Sequence, residues 1–274
     1  RDLHLSLRRQ RQMCIRDRSS PVCQACKDGP KNIGDSTSDK VELAKPDSVD
    51  AAAGQALGRH GHIDILVNNA GIADMRGVAP EHFDSETFNQ IVSVDLVGAF
   101  YYARECGRHM LENWSWSIVN IGSILGSGGS ENGVIAYSAA KGGLRNMTLQ
   151  LGTEWADRGV RVNAVSPGFI VTEMTRVALE AMGIDKWIAS RTPMRRVGES
   201  QEVTNAVMFL ASDLASYITG VDLLVDGGTN AINGSFQIPP IHHEWNVDTP
   251  MIPTSYEPVQ PRPDWYQALE AGVP

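Results

Sequence analysis

No uninterrupted apolar run in the sequence approaches the ~18 to 20 residues that a membrane-spanning helix requires, and the basic N-terminus lacks the apolar segment and small-residue cleavage site of a signal peptide. These absences predict a cytoplasmic chain with no membrane partner. Cysteine is scarce: Cys14, Cys23, Cys26 and Cys106 are too few for a disulfide scaffold in 274 residues. Basic charge is in deficit, with 24 Lys and Arg against 32 Asp and Glu and a formal net charge of −8. A pI near 5.4 argues against non-specific binding to nucleic acid or anionic membrane, both of which need basic surface. A small, polar or neutral substrate is the expectation that remains. Metal-ligand patterns are thin as well. Cys23 and Cys26 form a C-x-x-C that fits half a zinc site, a redox pair or a chance spacing, but no second ligand pair lies near and no strand-helix pattern frames it. His242 and His243 are adjacent, so in extended chain they point to opposite sides. No metal is predicted.

What is present falls into three stretches. Residues 1–34 show no helical or strand period and are strongly basic, unlike the acidic remainder. The piece "RQMCIRDR" resembles translated sequencing-adapter read-through, and a genuine disordered basic arm is the alternative. Residues 35–229 alternate short β-branched runs, "IDILVNNAG", "SIVNIGS", "VRVNAVSPG" and "VDLLVDGG", with longer amphipathic segments. Strand alternating with helix predicts an α/β domain, a doubly wound parallel sheet with helices on both faces. Residues 230–274 are rich in proline, which excludes long helices and central strands. Their aromatics Phe236, Trp245, Tyr256, Trp265 and Tyr266 fit an arm laid on its own or a neighbouring subunit better than a solvated tail.

Chemistry concentrates in "YSAAKGGLRNMTLQLGTEWADRG". Tyr137, Ala140, Leu144, Met147, Leu151 and Trp155 fall on one helical stripe, and Gly159 stands where a C-terminal cap belongs. Positions i and i+4 share a helix face, so Tyr137 and Lys141 can converge on one ligand. A tyrosine hydroxyl ordinarily titrates near ~10. A neighbouring ammonium favours the phenolate and turns the pair into a general acid and base. The spacing alone is also that of many solvated pairs.

Context decides between these. "VNNAG" at 67–71, "IGSILG" at 121–126, "YSAAK" at 137–141, "SPGFIVT" at 166–172 and "LVDGG" at 224–228 follow one another in this order. With them the chain resembles the short-chain dehydrogenase/reductase family of classical type, over roughly residues 36–229. The wording is that of its sugar, polyol and 3-oxoacyl reductase-like members. The resemblance implies a Rossmann-like sheet that binds NAD or NADP, and hydride transfer between the nicotinamide and a secondary alcohol or ketone. It implies that Tyr137 exchanges the hydroxyl proton, that Lys141 assists it and holds the nicotinamide ribose, and that Ser123 hydrogen-bonds the substrate oxygen. Asn68, Ala70 and Gly71 match the strand end along the adenosine half; Pro167, Gly168, Ile170 and Thr172 match the loop at the carboxamide face. Homodimers or homotetramers are implied through the "YYARECGRHM" helix and the helix starting at Tyr137.

Two departures qualify the resemblance. In "SETFNQIVSVDLVGAFYYARECG" the stripe Phe88, Val92, Ala99, Tyr102, Cys106 has Asp95 at its vacant position, where the family usually has an asparagine of the proton relay. A carboxylate on a packed face needs a partner; a solvent-facing aspartate is the alternative. The second departure is the absence of the family's Thr-Gly-x-x-x-Gly-x-Gly opening, which brings backbone to the pyrophosphate. If residues 40–45 are the third strand, too little chain precedes them for a full βαβ unit, so the domain is expected to lack its first one. Glu42 stands where an acid often touches the adenine, and ordinary surface charge is the alternative. The loops 127–135 and 173–194, with Met174, Met182, Trp187 and Met194, suit a neutral or moderately apolar hydroxylated substrate. The competing expectation is a truncated, non-catalytic chain that oligomerises but cannot bind the dinucleotide.

Overall fold

The computed structural model describes residues 41–74, 77–114, 116–129, 133–172 and 184–231, with side chains of the last stretch described from 188 onward. The chain divides into two compact units, 1–233 and 234–274, and every described residue belongs to the first. The C-x-x-C, His242, His243, the aromatic residues of the C-terminal arm, Met174 and Met182 lie outside the described residues.

Four parallel strands form the main sheet: β1 (Ile65–Asn68), β2 (Trp116–Ile121), β3 (Val160–Pro167) and, out of chain order, β6 (Asp222–Val225), in the order β1-β2-β3-β6. Each of the four apolar runs in the sequence yields one of these strands. A separate parallel ladder joins β4 (Ile170–Val171) to β5 (Gly198–Glu199). Register puts Leu66, Ile118 and Val162 in one cross-strand row. That row packs with Tyr102, Met110 and Leu151 from α3 (Gly98–Asn113) and α4 (Ile135–Glu154), and with Val49 from α1 (Pro46–His60). Val67, Val119 and Val165 point the other way, onto Val207 and Leu210 of α6 (Ser200–Ala211). The sheet is thus buried on both faces, as its uninterrupted β-branched runs require.

The helices begin and end where local chemistry dictates. Pro46 opens α1, and Gly61, at φ 75°, closes it with its N–H on the Leu57 carbonyl. Asp84 caps α2 (Ser85–Val92) by accepting from the Thr87 N–H at 2.7 Å. Between α2 and α3 the helix widens into one π turn, Ser93–Val97, with Asp95 inside it. After α5 (Ile184–Arg191), α6 starts with a reciprocal capping box between Glu199 and Glu202.

Two expectations need correction. Residues 41–45 are not a strand: the Lys45 N–H closes a turn on the Glu42 carbonyl at 2.9 Å. The Glu42 N–H donates to Ser48 Oγ at 3.0 Å, and Pro46 commits the stretch to the approach of α1, leaving only Leu43 buried. Gly159, at φ 75°, ends the short 3₁₀ turn Ala156–Arg158 and not α4, which stops at Glu154.

Candidate active site

Strands β1, β2 and β3 all finish at the same edge of the sheet, and α4 starts beside it. In the second turn of α4, Lys141 is 4% exposed. Its ammonium donates to the Ile121 carbonyl at the end of β2, at 3.0 Å. Asp95, 1% exposed, lies on the other side. Its Oδ1 accepts from the Ile72 N–H at 2.7 Å. Its Oδ2 is 3.4 Å from Lys141 Nζ, within ion-pair distance but out of line for a hydrogen bond. Burial pushes the Asp95 carboxyl above the usual carboxylate range, while Lys141 and the Ile72 N–H pull it back. The solvent-facing alternative for Asp95 is therefore excluded. It lies within the π turn.

Glycines set how closely these parts approach. A Cβ on Gly143 of α4 would meet Leu96 Cδ2 at 2.7 Å, so α4 lies directly on the π turn. A Cβ on Gly126 would meet the Lys141 carbonyl carbon at 2.7 Å, so the 3₁₀ turn Ile124–Gly126 lies directly on the backbone of α4. Ser123 caps that turn, its Oγ accepting from the Leu125 N–H at 3.2 Å. With that lone pair engaged, the hydroxyl proton is free for an outside acceptor. Tyr137 is half-buried against Ala136, Ala140 and Ile91. The Lys141 ammonium stands 5.5 Å from the centre of its ring. Ser123, Tyr137, Lys141 and Asp95 are thus gathered around one junction.

The residues expected at a cofactor are placed unequally. Gly71 lies at the junction, where a Cβ would come 2.8 Å from Asp95 Oδ2 and 3.2 Å from Lys141 Nζ. Ala70 packs against the core face beside α1 and α3. Asn68 turns its amide inward, donating to the Ala99 carbonyl at 3.2 Å and to Asn120 Oδ1 at 2.8 Å. Pro167 and Gly168 continue β3, with the Gly168 N–H on the Val225 carbonyl at 3.0 Å. Ile170 pairs with Gly198 across the small ladder, and Thr172 follows at half-buried backbone. Glu42 is not drawn into the junction: it sits on an exposed turn, 2.6 Å from Lys45 Nζ. A cleft of about 430 Å³ is lined by Phe169, Ile170, Thr192, Met194, Arg196 and Leu224 among others. It contains none of Ser123, Tyr137 and Lys141, so the chemistry is not placed there.

Sequence reasoning missed the backbone partners, the Ile121 carbonyl and the Ile72 N–H, because every residue has those groups. It also missed Asn120 and Thr148, which continue the Asn68 chain: Asn120 Nδ2 donates to Thr148 Oγ1 at 2.9 Å. Two asparagines at equivalent points of neighbouring strands, "VNN" and "VNI", were the available signal. Among the described residues no group of three His, Cys, Asp or Glu could hold a metal ion, and no helix is long and apolar enough to cross a membrane.

Known proteins resemble this chain in sequence and in fold. The sequence matches the family model described as enoyl-(acyl carrier protein) reductase over residues 11–230. It is 39% identical over 194 residues to the cis-4-hydroxycyclohexanecarboxylate dehydrogenase of Sinomonas cyclohexanicum, spanning 70% of this chain and 76% of that protein. Over 167 residues it is 41% identical to the galactitol 2-dehydrogenase (L-tagatose-forming) of Cereibacter sphaeroides, spanning 61% and 65% of the two chains. The gluconate 5-dehydrogenase of Burkholderia cenocepacia J2315, crystallised with NADP and tartrate, aligns in structure with a TM-score of 0.65 at 33% identity, covering 69% of this chain and 73% of that one.

Proposed function

Because the chain belongs to the short-chain dehydrogenase/reductase family of NAD(P)-dependent oxidoreductases, we propose that it transfers a hydride between NAD or NADP and a secondary alcohol or ketone. The substrate is a small hydroxylated molecule of the sugar, polyol or 3-oxoacyl-like kind, in keeping with relatives named for galactitol and for 3-oxoacyl-[acyl-carrier-protein]. The observation that carries this reading is the convergence of Ser123, Tyr137 and Lys141 at one strand edge, with the lysine fixed by the Ile121 carbonyl.

The described residues fit the nicotinamide half of such a cofactor. Gly71, expected along the adenosine half, instead leaves bare backbone against Lys141 and Asp95, where any side chain would collide. Lys141 would hold the ribose, and Pro167, Gly168, Ile170 and Thr172 would face the carboxamide. When bound, the cofactor accepts or supplies the hydride. The chain's own groups handle the proton and the charge. The free hydroxyl proton of Ser123 goes to the substrate oxygen and polarises its bond to carbon. Tyr137 takes the proton from that oxygen in oxidation and returns it in reduction. An ammonium has three protons. With one on the Ile121 carbonyl and one side turned to Asp95, Lys141 keeps one for a ligand. Phe100, exposed on α3, supports assembly as a homodimer or homotetramer through that helix.

Fluorescence titration with NADH and, separately, NADPH tests cofactor use, followed by polyol, sugar acid and 3-oxoacyl substrates. Saturable binding is expected. Tyr137→Phe should retain it while turnover falls by about 10²- to 10⁴-fold, the usual worth of a general acid or base. A folded, oligomeric chain that binds neither dinucleotide is the non-catalytic alternative, and it would overturn the proposal.

A further inference from the structure

Resting on Tyr137 as the proton-exchanging group, we propose that Asp95 is a positioning residue whose carboxylate pairs with the buried Lys141 ammonium and raises the pH at which Tyr137 gives up its proton. The effect would displace the working range for alcohol oxidation upward and extend that for ketone reduction.

The pair is unusual in its seclusion. Both side chains are almost wholly buried, at 0% and 4% exposure, and their charged atoms lie 3.4 Å apart. Water cannot screen them as it does a surface pair. The carboxylate is not adjustable either. The Ile72 N–H holds Oδ1 at 2.7 Å, the π turn fixes the backbone, and Gly71 stands so close that even a methyl group there would collide with Oδ2.

Lys141 promotes ionisation of Tyr137 through its charge, so what matters at the phenol is the sum of charges beside it. A lone ammonium gives a field falling with distance; an ammonium beside a carboxylate gives a dipole, whose field is weaker and falls faster. The remaining charged groups on elements packed against α4 do not replace this balance. Arg145, one turn on from Lys141, is held by Asp222 of β6 at 3.1 Å. Glu86 of α2 is exposed. Arg161 sits at the far end of β3, on the carbonyls of Leu210, Ala211 and Ser212. Asp157 and Arg158 lie beyond the C-terminus of α4. Strand β2 and the turn after Ser123 contribute no titratable group; the loop bearing Ile72 also carries Asp74, two positions on.

The test measures the ionisation directly. Ultraviolet titration of phenolate absorbance, taken as the difference between the full chain and its Tyr137→Phe variant, isolates Tyr137 without cofactor or substrate. It is repeated with Asp95→Asn in both. Asparagine keeps the acceptor for Ile72 and removes the charge. The Tyr137 signal should then appear at lower pH by about one unit, the lower end of what a neighbouring charge does. The pH–rate profiles for oxidation and reduction should move the same way in Asp95→Asn, a shift that loss of structural support alone would not give. Should that variant not fold, Asp95→Thr is read identically. An unmoved midpoint in a folded variant overturns the inference and would mean that Asp95 is already neutral in the native protein. A chain that turns over no substrate yet shows the shift sustains the inference and refutes the proposed function; turnover with an unmoved profile does the reverse.

Discussion

Two polar clusters lie side by side at the carboxyl edge of the sheet, and they are built on opposite principles. The first, Asn68–Asn120–Thr148, is neutral, and a run of hydrogen bonds of 2.8 to 2.9 Å joins its members and ends on the Leu144 carbonyl. The second, Asp95–Lys141, is charged, and its closest approach is a 3.4 Å contact with one carboxylate oxygen lacking a hydrogen bond. Ile121, which receives Lys141, directly follows Asn120. The neutral cluster clamps β1, β2 and α4 in register, with the buried Asn68 Oδ1 left without a hydrogen bond. The charged cluster commits one Lys141 proton to the Ile121 carbonyl and turns another side to Asp95, leaving one proton of the ammonium. Rigidity and reactivity thus occupy adjacent residues, the first holding the second in place.

Breaking the charged cluster should have the largest effect on stability. Asp95→Ala leaves the Lys141 ammonium buried without its counter-charge, which costs about 3–5 kcal/mol. Chemical denaturation should show this as a lower midpoint at unchanged slope. A loss under about 1 kcal/mol would place Lys141 in contact with water and blunt the contrast between the clusters. The neutral cluster comes next. Asn120→Ala removes one partner each from Asn68 and Thr148, which keep the Ala99 and Leu144 carbonyls, at about 1–3 kcal/mol. It should leave the Tyr137 ionisation midpoint where it is, because no charge changes. A moved midpoint would show that the clusters are one network.

The smallest effect belongs to a pair outside both clusters. Arg196 grips Glu202 with two bonds, of 2.6 and 2.7 Å, and holds its carboxyl down to about 2 from an ordinary 4.5. Because the folded value lies below the unfolded one, the contribution is present above about 4.5 and disappears as pH falls through about 2. Both groups are solvent-exposed, so the contribution is slight. Glu202→Gln should therefore lower the melting temperature a little at neutral pH, with the gap closing in acid. An unchanging gap would assign the effect to a weakened helix cap, the amide oxygen being a poorer acceptor for the Glu199 N–H, and not to the ion pair.

Much of this was legible in the residues. Each of the four β-branched runs became a strand, because a strand buried on both faces can be written almost only in that way. Tyr137 and Lys141 shared a helix face as their spacing required, and Ser123 followed its strand. Residues 41–45 misled because "KVELAK" alternates like a strand, while the deciding signals, Pro46 and the Ser48 hydroxyl, lie just beyond it. The helix around Asp95 was visible, but the π turn was not: one residue of extra width leaves no mark on an apolar stripe that continues on either side.

The sequence by itself determined the strand-helix alternation, the order of the elements and the spacing of the three residues proposed to carry the chemistry. These depend on local preference and on spacing within one element, which the chain states directly. Tertiary structure alone decided that Asp95 meets Lys141, 46 positions away, and that Asn68 faces Asn120 across two strands. Those meetings follow from sheet register and from backbones brought together at Gly126 and Gly143. A buried charge takes its value from whatever packing places within a few ångströms of it, and packing is a property of the whole fold.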